Sequence, residues 1–329
     1  MPVNVRNTVT TEGTIMLTST VREILFRLAV LVSSIFLMTA TANAENGESA
    51  NYVLGDSLSD VGALGLTYTN AEQVSLQQWI FGKVWVQDIP GYKSHSTFCR
   101  DITCTGSSQA PFYYTRHGNN YAVGGAGVLF PSSDLALINL TNTDLPSQVS
   151  ALIHNAGYTS SSNKQDHIFV WIGANDIAFA AQLSNHSKLF VHEAASTYVA
   201  AVSALAGACP LCNIYVISIP YLGDTPLAQW EATKQKLNAL THMFNDKISI
   251  LQSSSVTYIE INHFLNAQNL GTDLKTWCTT GIDPDHICPS ANNPLKDGLS
   301  ATIYADPAAH PITTIHAYIA GILKHLFVL

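Results

Sequence analysis

Ser57, His310 and Asp306 are the side chains whose types and placement could supply a nucleophile, its proton acceptor and the carboxylate that orients the acceptor. A serine hydroxyl is a weak nucleophile until a base takes its proton, and that base is usually a histidine held by a carboxylate. Ser57 stands in NYVLGDSLSD, residues 51 to 60, where an apolar run breaks abruptly into small and charged residues. Asp306 precedes His310 by four residues in YADPAAHPITTIH, and Pro311 is expected to open the C-terminal helix and fix the loop that carries the pair. The plain alternative is an Asx turn at Asp306 and a surface histidine. A rival pair, Asp283 and His286 in DPDH, sits between Cys278 and Cys288 with no helix directly after it, and ranks lower as an exposed flap.

Acyl transfer puts negative charge on the carbonyl oxygen, so hydrogen-bond donors must already point at that position. The backbone N–H of Ser57, the backbone N–H of Gly125 and the side-chain amide of Asn175 are donors of the right kind. Glycine fits there because a backbone donor must approach the substrate without a side chain in the way. Alone, GGAG is a tight turn and Asn175 a cap residue.

Positioning these groups requires a sheet. Apolar runs at 51–54, 120–125, 167–173, 213–219 and 256–262 read as strands, and helices are expected at 146–156, 187–207 and 227–251. A last helix would carry Ile312, Ile315, Ile319, Ile322 and Leu326 on one face. Strands alternating with helices predict an α/β fold with a parallel central sheet covered on both sides. Ligands bind such sheets beyond the carboxyl ends of the strands, where Ser57, Gly125 and Asn175 would meet.

Arg22 and Arg27, the apolar run LAVLVSSIFLM and Ala42-Asn43-Ala44 follow the order of a secretory signal peptide, residues 1–44, leaving one domain over 45–329. Met16 is an alternative start. The run is short for a membrane span, and no later segment is expected to cross, so the protein is expected to be secreted, extracellular or periplasmic. With 15 Lys+Arg against 23 Asp+Glu the chain is poorly suited to nucleic acid. Cys99, Cys104, Cys209, Cys212, Cys278 and Cys288 form three close pairs, and disulfides between neighbours are expected. Cys209-Pro210-Leu211-Cys212 could be a redox pair, but it ends a helix rather than starting one. No second Cys or His pair has zinc spacing, so no metal is expected.

GDSLSD (55–60), NYAVGGAG (120–127), GAND (173–176) and ADPAAHP (305–311) resemble, in order, the four blocks of the GDSL or SGNH family of serine esterases and lipases. GKVWVQDIPGY at 82–92 and MFND at 243–246 also resemble stretches of its bacterial lipases. The resemblance implies a three-layer flavodoxin-like SGNH-hydrolase fold and no cofactor. It assigns Ser57 as nucleophile, His310 as base oriented by Asp306, and Gly125 and Asn175 as oxyanion donors beside the Ser57 amide. No G-x-S-x-G elbow is present, unlike in α/β-hydrolases. The family usually spaces Asp and His by three residues. The four-residue gap here resembles a secreted bacterial subgroup of lysophospholipases A and glycerophospholipid:cholesterol acyltransferases, in which a loop like Cys278–Cys288 is cut by an activating protease.

The function expected is a lysophospholipase A acting on the acyl ester of a lysophospholipid or phospholipid, with transient contact to a membrane surface. Transfer of the acyl group to a sterol, and hydrolysis of carbohydrate or short-chain esters, are alternatives on the same fold. A non-catalytic lipid binder is the alternative from another class.

Overall fold

The computed structural model describes residues 49–63, 67–69, 71–75, 78–89, 94–99, 113–129, 142–225, 228, 231–267, 310–311 and 313–327. Four strands, β1 (Asn51–Gly55), β6 (His167–Trp171), β7 (Asn213–Ile217) and β8 (Val256–Ile259), form one sheet in the order β1-β6-β7-β8. All three pairings are parallel, with Gly55 opposite Trp171 and Ile217 opposite Ile259. Two antiparallel hairpins stand apart from this sheet: β2 (Ala71–Ser75) with β3 (Gln78–Phe81), and β4 (Phe98–Cys99) with β5 (Tyr113–Tyr114).

The central strands are buried at consecutive positions, Ile168 to Trp171 and Ile214 to Ile217, so both faces of the sheet are covered. On the face that bears Phe169 and Trp171, the Trp85 ring packs edge-on at 5.5 and 5.9 Å between centroids. Trp85 belongs to a short 3-10 turn, Trp85–Asp88, which packs against the last helix. The helices are α1 (Leu145–Ala156), α2 (Ala174–Gln182), α3 (Ser187–Ala208), α4 (Glu231–Ser249), α5 (Ile261–Ala267) and α6 (Thr313–Phe327). Of these, α1 to α4 pack on one another as a contiguous layer. Local chemistry starts and stops α1: Asp144 accepts from the Ser147 N–H at 2.8 Å, and Gly157 closes the helix at a φ of 67°.

The expected strands at 51–54, 167–173 and 213–219 appear with ends moved by a few residues. Four expectations change. The 120–125 segment is not a regular strand, although it runs beside β1: Val53 N–H donates to Asn119 O, and Tyr121 N–H to Val53 O. The strand expected over 256–262 stops at Ile259, and α5 follows at Ile261 with the Glu260 carboxylate accepting from the Asn262 N–H at 3.2 Å. In α6 the buried face is Ile315, His316, Ile319, Ala320 and Leu323, whereas Leu326 is exposed and Ile312 lies outside the described residues. Pro311 precedes that helix by two residues instead of opening it.

By length and composition α3 is apolar enough to cross a membrane, contrary to the expectation that no later segment would be. Its apolar residues have another use. Val191, Ala194, Ala195, Tyr198, Ala201, Val202 and Leu205 are in the core, where alanines allow close packing.

Candidate active site

β1 ends at Gly55, where a Cβ would lie 2.9 Å from the Ser59 Cβ and 3.0 Å from Trp171 O, so the close approach of two chain segments requires glycine. Gln148 of α1 holds this strand end by both of its backbone groups. The Gly55 N–H donates to Gln148 Oε1 and the Gln148 amide donates to Gly55 O, each at 2.8 Å. The next two residues form a tight turn in which the Leu58 N–H donates to Asp56 Oδ1 at 3.0 Å and the Ser59 N–H to Asp56 O at 3.1 Å. Ser57 is thereby presented beyond the strand end, 7% exposed.

His310 meets it there. The imidazole Nε2 lies 2.8 Å from Ser57 Oγ, across 253 residues of sequence. In the tautomer with an unprotonated Nε2, the serine hydroxyl donates to the ring and is set up to lose its proton. Two residues the sequence reading overlooked position this histidine. The Tyr68 ring lies against the imidazole with centroids 5.4 Å apart, and Thr69 Oγ1 donates to Pro311 O at 3.1 Å. Thr69 and Thr313 also share a hydroxyl contact of 3.3 Å, tying the 67–69 segment to the start of α6. Asp306, the rival pair Asp283 and His286, and Cys104, Cys278 and Cys288 lie outside the described residues.

The two expected oxyanion elements are joined. Gly125 adopts a left-handed φ of 75°, which glycine tolerates best, in the turn that follows the segment beside β1. Asn175, the second residue of α2, donates through Nδ2 to Ala126 O at 2.8 Å, which leaves the other hydrogen of that amide for a substrate oxygen. α2 starts here because Gly173 turns the chain at a φ of 130°, where a Cβ would strike the Phe244 ring. Two buried carboxylates brace the glycine turn. Asp60 Oδ2 accepts from the Gly124 N–H at 2.7 Å, and Asp176 accepts from the Val128 and Leu129 N–H groups at 2.7 and 3.1 Å.

Burial dominates the electrostatics. Asp56 is pushed up to about 7 by burial, reinforced by the nearby charge of Asp176 and opposed by the Leu58 N–H. Asp60 and Asp176 each rise to about 6, again by burial, against the backbone N–H groups they accept from. A raised folded-state pKa means that the folded protein holds protons the unfolded chain has released. These groups therefore favour folding fully below the unfolded carboxyl pKa, and that stability is lost as pH rises through about 6 to 7. Asp56→Asn is expected to flatten the decline in urea-unfolding free energy between pH 4 and 7 by up to about 1.4 kcal/mol per pH unit, one proton's worth. A slope identical to the parent protein's would show that Asp56 does not take up that proton.

The described cysteines bear on one expectation. Cys209 and Cys212 are joined, with an S–S distance of 2.01 Å, and both are buried where α3 ends. No group of three or more His, Cys, Asp or Glu side chains able to hold a metal is found among the described residues.

Comparison with known proteins places this geometry in context. The model of the GDSL-like lipase/acylhydrolase family matches residues 52–302. No curated protein sequence matches the chain. Among solved structures the chain is similar to an extracellular lipase from Streptomyces rimosus, at 12% identity over 84% of this chain and 99% of that one, with a TM-score of 0.42. It is also similar to phospholipase A1 from Streptomyces albidoflavus, at 15% identity over 73% and 93% of the two chains and a TM-score of 0.37. An aryl esterase from M. smegmatis aligns at 12% identity over 85% of this chain and all of the other, with a TM-score of 0.36.

Proposed function

The chain belongs to the GDSL-like lipase/acylhydrolase family and is a carboxylic ester hydrolase, and from that premise we propose that it is an exported lysophospholipase A working through an acyl-enzyme. The observation that carries the mechanism is the 2.8 Å contact between His310 Nε2 and Ser57 Oγ. As Ser57 Oγ bonds to the ester carbonyl carbon, His310 takes its proton and the carbonyl π electrons move onto oxygen. The Ser57 and Gly125 N–H groups and the Asn175 amide receive that oxyanion. Collapse breaks the bond to the glycerol oxygen, which leaves with the proton held by His310, and the acyl group remains on Ser57. Water then repeats the sequence: His310 takes its proton, the acyl bond to Ser57 breaks, and the serine regains a proton as the fatty acid departs. Asp306, four residues before His310, is the carboxylate assigned to orient the imidazole and offset its charge.

Export rests on the residue order of 1–44, and the lipid substrate on the lysophospholipase-like spacing of Asp306 and His310. Mass spectrometry of products from a mixture of lysophospholipid, phospholipid and cholesterol tests the substrate. Free fatty acid released from the lysophospholipid is expected, and Ser57→Ala should release none. Cholesteryl ester as the main product would assign acyl transfer instead, and no lipid product beside turnover of a small soluble ester would overturn the lipid reading.

Asn175→Ala is expected to lower kcat by on the order of 10²- to 10³-fold, the usual loss for one oxyanion donor, with KM changed much less. Steady-state kinetics on a chromogenic ester would read it, and an unchanged kcat would take Asn175 out of the mechanism.

A further inference from the structure

Gly124 and Gly125 stand together in the turn that would receive the oxyanion, but they are glycines for different reasons. Gly125 adopts a left-handed φ of 75°, whereas the backbone at Gly124 is outside the left-handed region. At Gly124 the obstacle is a side chain. A Cβ built there would run into the Tyr68 hydroxyl and the two ring carbons next to it, Cζ and Cε2. The hydroxyl end of Tyr68 therefore lies directly on the Gly124 backbone, and a residue without a side chain admits it.

The same ring lies against the His310 imidazole, with centroids 5.4 Å apart and planes tilted by 31°. Tyr68 is buried, so a single packed side chain spans from the proposed base to the turn that carries the Gly125 N–H. Its backbone is fixed on both sides. Thr67 bridges to Val61 and its hydroxyl donates to Gly82 O at 2.7 Å, while Thr69 Oγ1 donates to Pro311 O at 3.1 Å. Asp60, just before Val61, accepts from the Gly124 N–H at 2.7 Å. Gly124 is thus gripped at its N–H by Asp60 and at its Cα by Tyr68.

We propose that Tyr68 is a positioning residue that sets the separation between the base and the oxyanion donors, touching His310 with its ring and the Gly124 backbone with its hydroxyl end. This rests on the reading of Ser57 and His310 as nucleophile and base, and deepens it. As Ser57 Oγ bonds to the ester carbon, the proton moves to His310 Nε2 and negative charge moves to the carbonyl oxygen, one bond away from that carbon. Base and donors must therefore be in place at the same moment, and a displacement of about 1 Å can cost on the order of 10²-fold in rate. A ring in contact with both removes one of the motions by which they could drift apart.

The test is steady-state kinetics of the full-length protein on a water-soluble short-chain chromogenic ester, with circular dichroism and melting temperature read on every variant. Tyr68→Leu keeps apolar bulk but lacks both the flat face on His310 and the atoms that reach Gly124. Its kcat is expected to fall on the order of 10²-fold with KM within about threefold of the parent's. Tyr68→Phe keeps the ring and should recover kcat to within about fivefold of the parent. Gly124→Ala approaches the same contact from the other side: its methyl pushes on the ring, and kcat should fall about tenfold or more. In the Tyr68→Leu background, where the methyl has room, the same substitution should cost less than about twofold. Equal losses from Gly124→Ala in both backgrounds would overturn the proposal, since the methyl would then act on the turn without Tyr68. So would the parent's kcat in Tyr68→Leu, equal losses in Tyr68→Phe and Tyr68→Leu, or an effect confined to KM or to folding. Ser57→Ala, measured beside these variants, reads the premise separately. Turnover that survives Ser57→Ala removes the nucleophile; turnover that vanishes there yet is indifferent to Tyr68→Leu removes the positioning role alone.

Discussion

Ser57→Ala is expected to lower kcat on a short-chain chromogenic ester by about a millionfold, to a residue supplied by binding and oxyanion donors alone. The effect should be this large because the hydroxyl is the group proposed to bond to the acyl carbon, and water in the space vacated by Oγ would be neither held at bonding distance nor aligned with the imidazole. The fold should be indifferent. Ser57 Oγ contacts His310 among the described residues, while the turn that presents it is held by Asp56 and by Gln148. Melting temperature should therefore stay within a few degrees of the parent's as turnover disappears. Retained turnover would refute Ser57 as nucleophile, and a collapsed melting temperature would make its role structural.

His310→Gln is expected to cost about 10⁴- to 10⁶-fold in kcat, close to the loss at Ser57, because nucleophile and base act as a unit whose removals do not add. Glutamine keeps a polar group near Ser57 Oγ and the length to fill much of the site, but it cannot carry the proton from nucleophile to leaving group. The double variant with Ser57→Ala should be hardly worse than either single one. If the two losses multiplied instead, the two side chains would be working independently and the 2.8 Å contact would not be the catalytic one.

The residues proposed to perform the chemistry could be named from the sequence, and the residues that hold them in place largely could not. Ser57, Gly125, Asn175 and His310 stand in short runs whose residue types have few other uses together, and the structure brings Ser57 to His310 and Asn175 to the glycine turn. Gln148 has no such signature. It is a polar residue on a helix, and only its two bonds to Gly55 show that it fixes the strand end under the nucleophile. Tyr68 and Thr69 are of the same kind, acting through contacts between segments distant in sequence, whereas Asp60 and Asp176 stand inside GDSLSD and GAND and only their bonds to the glycine turn show that they brace it.

The same division holds for the fold. Ile168 to Trp171 and Ile214 to Ile217 read as strands because consecutive burial demands an unbroken apolar run, which is visible locally. The 120–125 segment has three consecutive apolar residues, Tyr121, Ala122 and Val123, yet its bonds to β1 stop short of a full ladder because the glycine turn begins at Gly124. In α6 the expected apolar stripe missed His316, since no periodicity argument puts an imidazole in a core. It is fully buried, with neither ring nitrogen partnered among the described residues, and its pKa falls to about 3, chiefly by burial and further by the charge of His310. A neutral histidine there fills space and adds no positive charge behind His310.

The account stands most directly on covalent trapping. The intact protein is incubated with an alkyl fluorophosphonate, digested and mapped by mass spectrometry, while ester turnover is followed in the same samples. A single adduct on Ser57 is predicted, accumulating in step with loss of turnover and forming orders of magnitude more slowly in His310→Gln. Turnover that persists with Ser57 fully modified, or an adduct on another side chain that tracks the inactivation, would contradict it.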